Sequence, residues 1–188
     1  MQPAPAISNA VAGLVAGHVT GLVIRPAIPA DFDIITAIYA DEVRNRTATF
    51  ELEPPDTAEM RWRFDSLIAN GFPYLTAVLD GDVVGYAYAG PYRTRPAFRF
   101  TVENSIYLAP AAQGRGIGGA LLQALMDDCT ARGFKQMVAV IGDSANHASV
   151  RLHARAGFEL IGTQPAIGYK FERWLDIVIM QRALPEQA

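Results

Sequence analysis

A glycine-rich turn is the segment of this sequence best suited to bind an anionic ligand. The turn spans residues 113–119 (QGRGIGG), between a predicted strand that ends at Leu108 and a predicted leucine-rich helix. Glycines allow consecutive backbone N–H groups to approach an anion, and the helix that follows contributes the positive end of its dipole. The turn therefore predicts a pyrophosphate-binding site, to which Arg115 adds a positive charge.

Two other interpretations of this turn stay open. Gly114, Gly116 and Gly119 also fit the spacing of a dinucleotide-binding fingerprint, which would indicate a Rossmann oxidoreductase. That fingerprint belongs at the start of a doubly wound sheet, with an acidic residue closing the next strand. Here it lies beyond the middle of the chain, and the nearest acidic candidate, Asp143, comes several residues late. The simplest alternative is a turn that only caps a helix.

Glu103 and His153 are the side chains best suited to move protons. Glu103 belongs to a predicted strand over residues 101–108, whose alternation places Glu103 on one face and Asn104 on the other. A carboxylate in so apolar a strand is costly to bury, which indicates either a chemical task or an ion pair with an arginine. His153 lies on a predicted helix, where an imidazole either exchanges a proton near neutral pH or fills a structural position. The backbone N–H of Leu108 is a candidate donor to a developing oxyanion.

A loop rich in arginine and aromatic residues precedes this strand. It covers residues 92–100 (YRTRPAFRF) and contains three arginines and three aromatic residues. Guanidinium groups bind carboxylate, phosphinate or sulfonyl oxygens through paired hydrogen bonds, and aromatic rings exclude water. The loop therefore predicts a site for a small anion, although each arginine could equally be a solvated surface charge.

The other segments predict the elements that hold these groups in place. Apolar spacing, proline breaks and a tight Asp80-Gly81 turn indicate alternating strands and helices. Strands are predicted over residues 23–25, 74–79, 83–89, 101–108, 137–141, 158–163 and 175–182, and helices begin near Pro29 and Thr57 and cover 118–132 and 147–156. The fold class is α/β, or α+β in some schemes, with a mixed central sheet flanked by helices. We expect a single domain over residues 22–184, with flexible tails at 1–21 and 185–188.

Composition and charge exclude several classes of function. The 188 residues include 16 basic and 19 acidic ones, a balance that offers no field to attract nucleic acid. No stretch reaches the roughly 18 apolar residues that a membrane span needs, so no membrane partner is expected. Cys129 is the single cysteine, which precludes an intramolecular disulfide or a cysteine metal cluster. We expect a cytoplasmic protein without a bound metal.

The sequence resembles the GNAT superfamily of acyl-CoA transferases, whose signature is Gln or Arg, two residues, Gly, one residue, then Gly or Ala. Gln113, Gly116 and Gly118 match this signature. Separate motifs at 88–91 (YAGP), 101–105 (TVENS), 138–142 (VAVIG), 149–153 (SVRLH) and 168–170 (GYK) are similar to the phosphinothricin N-acetyltransferase and L-amino acid N-acyltransferase branch. The similarity extends from about Val23 to Leu184.

The resemblance implies a fold, a co-substrate and candidate site residues. It implies the GNAT fold with acetyl-CoA as co-substrate, bound by Ile106, Tyr107, Leu108, Gln113, Gly114, Arg115, Gly116, Ile117, Gly118, Gly119 and Asn146. Contacts to the acceptor substrate would come from Phe50, Arg93, Arg95, Phe98, Asn104 and Ser105.

The resemblance also implies roles in proton transfer. Glu103 would be the general base, and His153 occupies the position at which most of the superfamily carries a tyrosine that protonates the thiolate. Whether His153 is an acid, a base partner or only a cofactor contact stays open. So does a plain N-cap role for Asn146.

The predicted function is transfer of an acetyl group from acetyl-CoA to the amino group of a small amino-acid-like substrate, such as phosphinothricin, methionine sulfoximine or methionine sulfone. A homodimer is expected, and the aromatic and basic segment 169–174 is a candidate for its interface or for closing the pocket. One alternative is acetylation of a protein or peptide amine. A second is a non-catalytic acyl-CoA-binding regulatory module, against which the presence of both Glu103 and His153 argues.

Overall fold

A seven-stranded sheet with helices on both faces carries the candidate residues. The computed structural model describes residues 19–184, so the predicted tails lie outside the described residues except at residues 19–21. The strands are β1 (Leu22–Pro26), β2 (Tyr74–Leu79), β3 (Asp82–Pro91), β4 (Thr101–Leu108), β5 (Gln136–Gly142), β6 (Glu159–Lys170) and β7 (Arg173–Ala183). The helices are α1 (Phe32–Asn45), α2 (Thr57–Ala69), α3 (Ile117–Ala131) and α4 (His147–Arg155). Within residues 19–184, no helix is long and apolar enough to cross a membrane.

The strand pairing explains why the sheet opens at one place. The order is β1-β2-β3-β4-β5-β7-β6, and β4 with β5 is the parallel pair among antiparallel neighbours. The two are parallel because α3 carries the chain across between them. Their pairing ends where Asn104 lies opposite Ala139, whereas β4 stays paired with β3 as far as Leu108. Beyond Asn104, β4 and β5 therefore separate and leave a gap in the sheet.

Two apolar clusters attach the helices to opposite faces of the sheet. Beneath α3 the cluster is mainly aliphatic, and leucines of α3 are fully buried against Val102 of β4 and Met137 of β5; side chains of α4 pack at the edge of the same cluster. Beneath α1 and α2 it is mainly aromatic: Phe32, Ile35, Tyr39, Met60, Tyr74, Tyr86 and Tyr107. The alternation predicted for β4 is confirmed, because Val102 and Tyr107 lie in different clusters. One face of β4 is thus aliphatic and the other aromatic.

The β6–β7 hairpin is the element that the sequence predicts least well. A strand over residues 158–163 is expected, but β6 continues to Lys170. Gly162, Pro165 and Gly168 interrupt the apolar pattern, and the pairing with β7 is irregular just before Gly162 and again between Gln164 and Gly168. The hairpin closes through Phe171 and Glu172, both with positive φ, as a two-residue turn of type I′ requires.

Candidate active site

The gap between β4 and β5 leaves backbone groups of β4 without partners in the sheet. Backbone hydrogen bonds at both ends of β4 show that its odd-numbered residues pair with β3. The even-numbered residues Ile106 and Leu108 therefore direct their N–H and C=O groups toward β5. Because β5 no longer pairs with β4 there, these groups are available to an extended ligand that carries amides of its own, apart from the Leu108 carbonyl, which accepts a bond from Gln113.

The gap opens into a cavity of about 650 Å³. All of the residues predicted to bind acetyl-CoA line this cavity except Arg115 and Ile117. The side chain of Ile117 is fully buried in the aliphatic cluster, so only its backbone can face a ligand. Asn104, Ser105 and His153 also line the cavity, whereas five further predicted site residues do not: Phe50, Arg93, Arg95, Phe98 and Glu103.

The backbone of residues 114–119 forms a cradle of N–H groups at one end of the cavity. Within residues 19–184, none of these six N–H groups has a hydrogen-bond partner. Gly114 and Gly116 have φ values of 72° and 83°, which residues with a Cβ rarely adopt. The backbone of this glycine turn leads directly into the first turn of α3. Unpaired N–H groups at the positive end of a helix suit the pyrophosphate of an acyl-CoA.

Gln113 connects the cradle to α1. Its Oε1 accepts a hydrogen bond from Arg46 Nη1 at 3.0 Å, and its Nε2 donates to the Leu108 carbonyl at 3.4 Å. Arg46 also lies within 3.8 Å of Glu42, near the end of α1. The side chain of Gln113 therefore supports the turn and the last residue of β4.

Three arginines that were not predicted from the sequence line the cavity. Arg46 is joined to the turn through Gln113, whereas Arg151 and Arg155 are exposed on α4, one helical turn apart. The only signal in the sequence was the i, i+4 spacing of two basic residues shortly after Asn146. Their charges suit the phosphate groups of an acyl-CoA.

Asn146 lies at the start of α4 and faces the same cavity. Its side-chain oxygen accepts a hydrogen bond from the Ser149 N–H at 3.2 Å, as an N-cap residue does. Asn146 also lines the cavity. The N-cap role is therefore present, and it leaves the amide nitrogen free for a ligand.

His153 is held at the point where β4 and β5 separate. Its ring is 4% exposed, with Nε2 3.0 Å from Asn104 Oδ1 and Nδ1 2.9 Å from the Ser149 carbonyl. The Asn104 amide cannot reverse freely, because its Nδ2 donates to the Val138 carbonyl at 3.1 Å. Both ring nitrogens thus face oxygen acceptors. Burial lowers the pKa of His153, and the bond to Ser149 opposes this shift.

Glu103 lies on the other face of β4, in the part of the strand that is still paired with β5. It shares the aromatic face with Tyr88 and Tyr107, whereas Asn104 and His153 lie on the α4 side. Within residues 19–184 its carboxylate has no hydrogen bond or ion pair, and burial raises its pKa. The structure therefore gives no support to an ion pair with an arginine, and it does not bring Glu103 into contact with His153.

The residues predicted to bind the acceptor fall into separate places. The guanidinium of Arg93 lies over the rings of Tyr92 and Phe98, at 5.2 and 5.9 Å from their centres, and Arg95 is exposed. Phe50 packs against Gly142 and Gly168, at the end of β5 that lines the cavity in the gap. The arginine loop is thus internally stacked and lines neither the cavity in the gap nor the second cavity described below.

Cys129 lies in the aliphatic cluster beneath α3. Its thiol is fully buried, and burial raises its pKa to about 12, so the reactive thiolate is disfavoured. In the described part of the chain, no three His, Cys, Asp or Glu side chains are grouped so as to hold a metal ion.

Comparisons with known proteins agree with this arrangement. Residues 35–158 match the model of the acetyltransferase (GNAT) family. The chain is 50% identical over 154 residues to phosphinothricin N-acetyltransferase of Alcaligenes faecalis, and the aligned region covers 82% of this chain and 78% of the relative. It is 45% identical over 159 residues to L-methionine sulfoximine/L-methionine sulfone acetyltransferase of Pseudomonas paraeruginosa, covering 84% and 92%.

A solved structure of similar fold is that of a GNAT superfamily phosphinothricin acetyltransferase from Sinorhizobium meliloti in complex with acetyl-CoA. The TM-score is 0.85 at 50% identity, covering 87% of this chain and 89% of that chain. Parallel strands that part beside an unpaired N–H cradle define an acyl-CoA-binding fold. The chain belongs to the acetyltransferase (GNAT) family, and the predicted family and α/β fold are confirmed.

Proposed function

We propose that this enzyme transfers an acetyl group from acetyl-CoA to the amino group of a small amino-acid-like substrate. The observation that carries the proposal is the gap between β4 and β5. The N–H cradle, Asn104 and His153 line this opening, and Glu103 lies one residue before Asn104 on the opposite face of β4. Support for the acceptor class comes from relatives named for phosphinothricin and for methionine sulfoximine and sulfone.

The chain would hold the co-substrate mainly through its backbone. Acetyl-CoA supplies an acyl group already activated as a thioester. The N–H groups of residues 114–119 suit its pyrophosphate, and the backbone N–H and C=O of Ile106 suit the amides of its pantetheine arm. The Leu108 N–H is the proposed donor to the oxyanion that develops during transfer.

Glu103 is the proposed general base. An amine attacks only after losing its proton, and a carboxylate whose pKa is raised by burial accepts that proton more readily than an ordinary one. The absence of a partner among the described residues leaves the carboxylate free to face an acceptor ammonium, directly or through a water molecule. Its place on the aromatic face implies that the acceptor arrives from the side of α1 and α2.

His153 is the proposed proton donor to the departing thiolate, on the opposite face. Its Nε2 points at Asn104 Oδ1, so delivery of a proton requires that this hydrogen bond be exchanged. Asn104 is then a positioning residue, since it fixes the ring through a bond that the Val138 carbonyl keeps oriented. This assignment replaces the substrate contact expected of Asn104.

We also propose a cytoplasmic homodimer. The free, buried thiol of Cys129 agrees with a reducing compartment. Strand β6 lies at the edge of the sheet and, with the hairpin end, exposes Leu160, Ile161, Ile167, Tyr169 and Trp174. An apolar sheet edge of this kind is commonly covered by another chain. Light scattering after gel filtration should give twice the monomer mass, and a monomer at micromolar concentration would contradict the proposal.

The activity is tested by following free thiol as the purified protein is incubated with acetyl-CoA and a panel of acceptors. The panel contains phosphinothricin, methionine sulfone, methionine sulfoximine, ordinary amino acids and a short peptide. Turnover with a small amino acid is expected. Thiol release with the peptide alone would instead indicate protein acetylation, and tight acetyl-CoA binding without turnover would indicate a regulatory module.

A further inference from the structure

A second cavity, of about 270 Å³, lies on the aromatic face of the sheet. It is enclosed by α1, α2 and tyrosines of β2 and β3, and no residue lines both this cavity and the one in the gap. Its lining residues are Tyr39, Met60, Trp62, Arg63, Ser66, Leu67, Tyr74, Tyr86 and Tyr88. We call it the tyrosine cavity.

The tyrosine cavity adjoins the proposed base. Tyr88 lines the cavity and is the cross-strand partner of Ser105, and Glu103 lies two residues from Ser105 on the same face of β4. Gly90 is the cross-strand partner of Glu103, and a Cβ on Gly90 would lie 3.5 Å from Leu67, another lining residue. The missing side chain at Gly90 therefore leaves space between the cavity and the carboxylate.

One polar group in the cavity wall has no partner. Tyr86 is 0% exposed, and in the described part of the chain its hydroxyl makes no hydrogen bond. Burial raises its pKa well above the usual value, so at neutral pH the group is a phenol that can donate. A buried donor without an acceptor is uncommon, and it indicates a site that a ligand or water completes.

The charges around the cavity disfavour a further anion. Arg63 is the positive group in the wall, but its Nη1 is 2.6 Å from Glu51 Oε1 and its Nε is 3.0 Å from Glu59 Oε1. Two carboxylates thus share one guanidinium, and Glu103 adds a third negative charge nearby. The cavity offers hydroxyl donors and aromatic walls to an uncharged group.

We infer that the tyrosine cavity receives the side chain of the acceptor amino acid, and that it selects an apolar stem with an uncharged, hydrogen-bond-accepting tip such as a sulfone or sulfoximine. The inference rests on the proposed function, since it places the acceptor amine at Glu103. The Tyr86 hydroxyl donates to the tip, and the stacked tyrosines enclose the stem. A phosphinate, which keeps its negative charge, fits this cavity less well.

Occlusion of the cavity is the first test. Ser66→Phe places a ring against the cavity, and Ile68→Phe places the same ring on the exposed side of the same helix as a matched control. We expect Ser66→Phe to lower kcat/KM for methionine sulfone by about 10-fold or more, with Ile68→Phe within about twofold of wild type. The KM for acetyl-CoA should stay unchanged in both variants, because the co-substrate uses the other cavity.

The hydroxyl is tested separately by Tyr86→Phe, which keeps the ring and removes the unpartnered group. The KM for methionine sulfone should rise about three- to tenfold, as for one lost hydrogen bond, while norleucine, which lacks an accepting tip, should be unaffected. Wild type should also prefer methionine sulfone to phosphinothricin. Wild-type kinetics with methionine sulfone in both Ser66→Phe and Tyr86→Phe would overturn the inference. An absence of turnover by wild type with any small amino acid would instead overturn the proposed function.

Discussion

The two faces of β4 are built from different chemical groups. On the side of α3 and α4, the available groups are mostly backbone: six N–H groups of residues 114–119, the N–H and C=O of Ile106 and the N–H of Leu108. On the side of α1 and α2 they are side chains, namely Glu103 and the tyrosines around it. A site built from backbone groups suits a co-substrate that is the same for every acceptor. A site built from side chains can be changed by substitution to fit a particular acceptor.

This difference separates the expected effects of mutation. On the proposed acceptor face a single side chain, Glu103, is the proposed base, so its removal should be severe. On the co-substrate face, many backbone groups share the binding, and loss of one exposed side chain should matter little. Changes there should be severe only where they fill space that a glycine leaves open.

The largest effect is expected from Glu103→Gln. Loss of a general base typically costs about 10² to 10⁴ in rate, so kcat/KM should fall by that range. Burial raises the pKa of Glu103. In wild type the rate should increase as the pH passes this pKa, and the variant should lack this increase. Steady-state kinetics between pH 5 and 9 measure both, with the exposed Glu159→Gln as control.

Glu103→Gln should also be more stable than wild type at neutral pH. The folded-state pKa lies above the ordinary 4.5, so the charged carboxylate costs folding free energy above the folded pKa. The gain in Tm should disappear below pH 4.5, where both states are protonated. A variant that is less stable at pH 7 and keeps full activity would mean that the carboxylate is structural.

The next largest effect is expected from Gly118→Val on the co-substrate face. A Cβ on Gly118 would already lie 3.5 Å from Leu108 and 3.6 Å from Leu152, so the two extra methyl groups must extend into these neighbours or into the cavity. The KM for acetyl-CoA should rise by about 10-fold or more, while the KM for the acceptor changes little.

Gly162→Val is the matched control for that change. It makes the same substitution on β6, where a Cβ meets no atom within 4 Å and the residue lines neither cavity. Equal losses in the two variants would show that the effect at Gly118 is a general loss of folding.

The contrast between the two faces also explains what the sequence could reveal. The cradle was predictable because its groups are consecutive: a strand, a glycine turn and a helix, each encoded by adjacent residues. Glu103 was found for a similar reason, since it is a carboxylate in an apolar strand. These local signals, with the motifs that resemble one family, were enough to predict the fold, which is confirmed.

The tyrosine cavity could not be predicted in the same way. Its walls bring together Tyr39, Trp62 and Tyr86 from three elements, and each residue alone resembles an ordinary core residue. The link from Arg46 to Gln113 joins positions 67 residues apart. The arginine loop shows the converse, because its composition indicates an anion site, whereas Arg93 is stacked on its own neighbours.

Asn104→Ala should have an intermediate effect, because Asn104 acts by positioning His153. The change leaves the Val138 carbonyl and His153 Nε2 without a partner, at a cost of about 1–3 kcal/mol in unfolding free energy. We expect kcat to fall about 10-fold with a smaller change in the KM for acetyl-CoA. Asn45→Ala on the exposed surface of α1 is the control.

Asn104→Asp distinguishes positioning from simple packing. It keeps the shape and adds a negative charge where Oδ1 now lies 3.0 Å from Nε2, so the pKa of His153 should rise and its limb in the pH–rate profile should move to higher pH. A wild-type pH profile in both Asn104 variants would show that the residue only fills space.

The smallest effects are expected from Arg151→Ala and Arg155→Ala, at the exposed mouth of the co-substrate cavity. Exposed charges are screened by solvent and salt, so each change should raise the KM for acetyl-CoA only about two- to fivefold. The effect should shrink further between low and high salt, and Arg44→Ala, exposed on α1 away from the cavity, should show none. A loss of more than about 10-fold that persists in high salt would mean that side chains, not the backbone cradle, dominate co-substrate binding. The contrast between the faces of β4 would then have to be abandoned, because both ligands would be held in the same way.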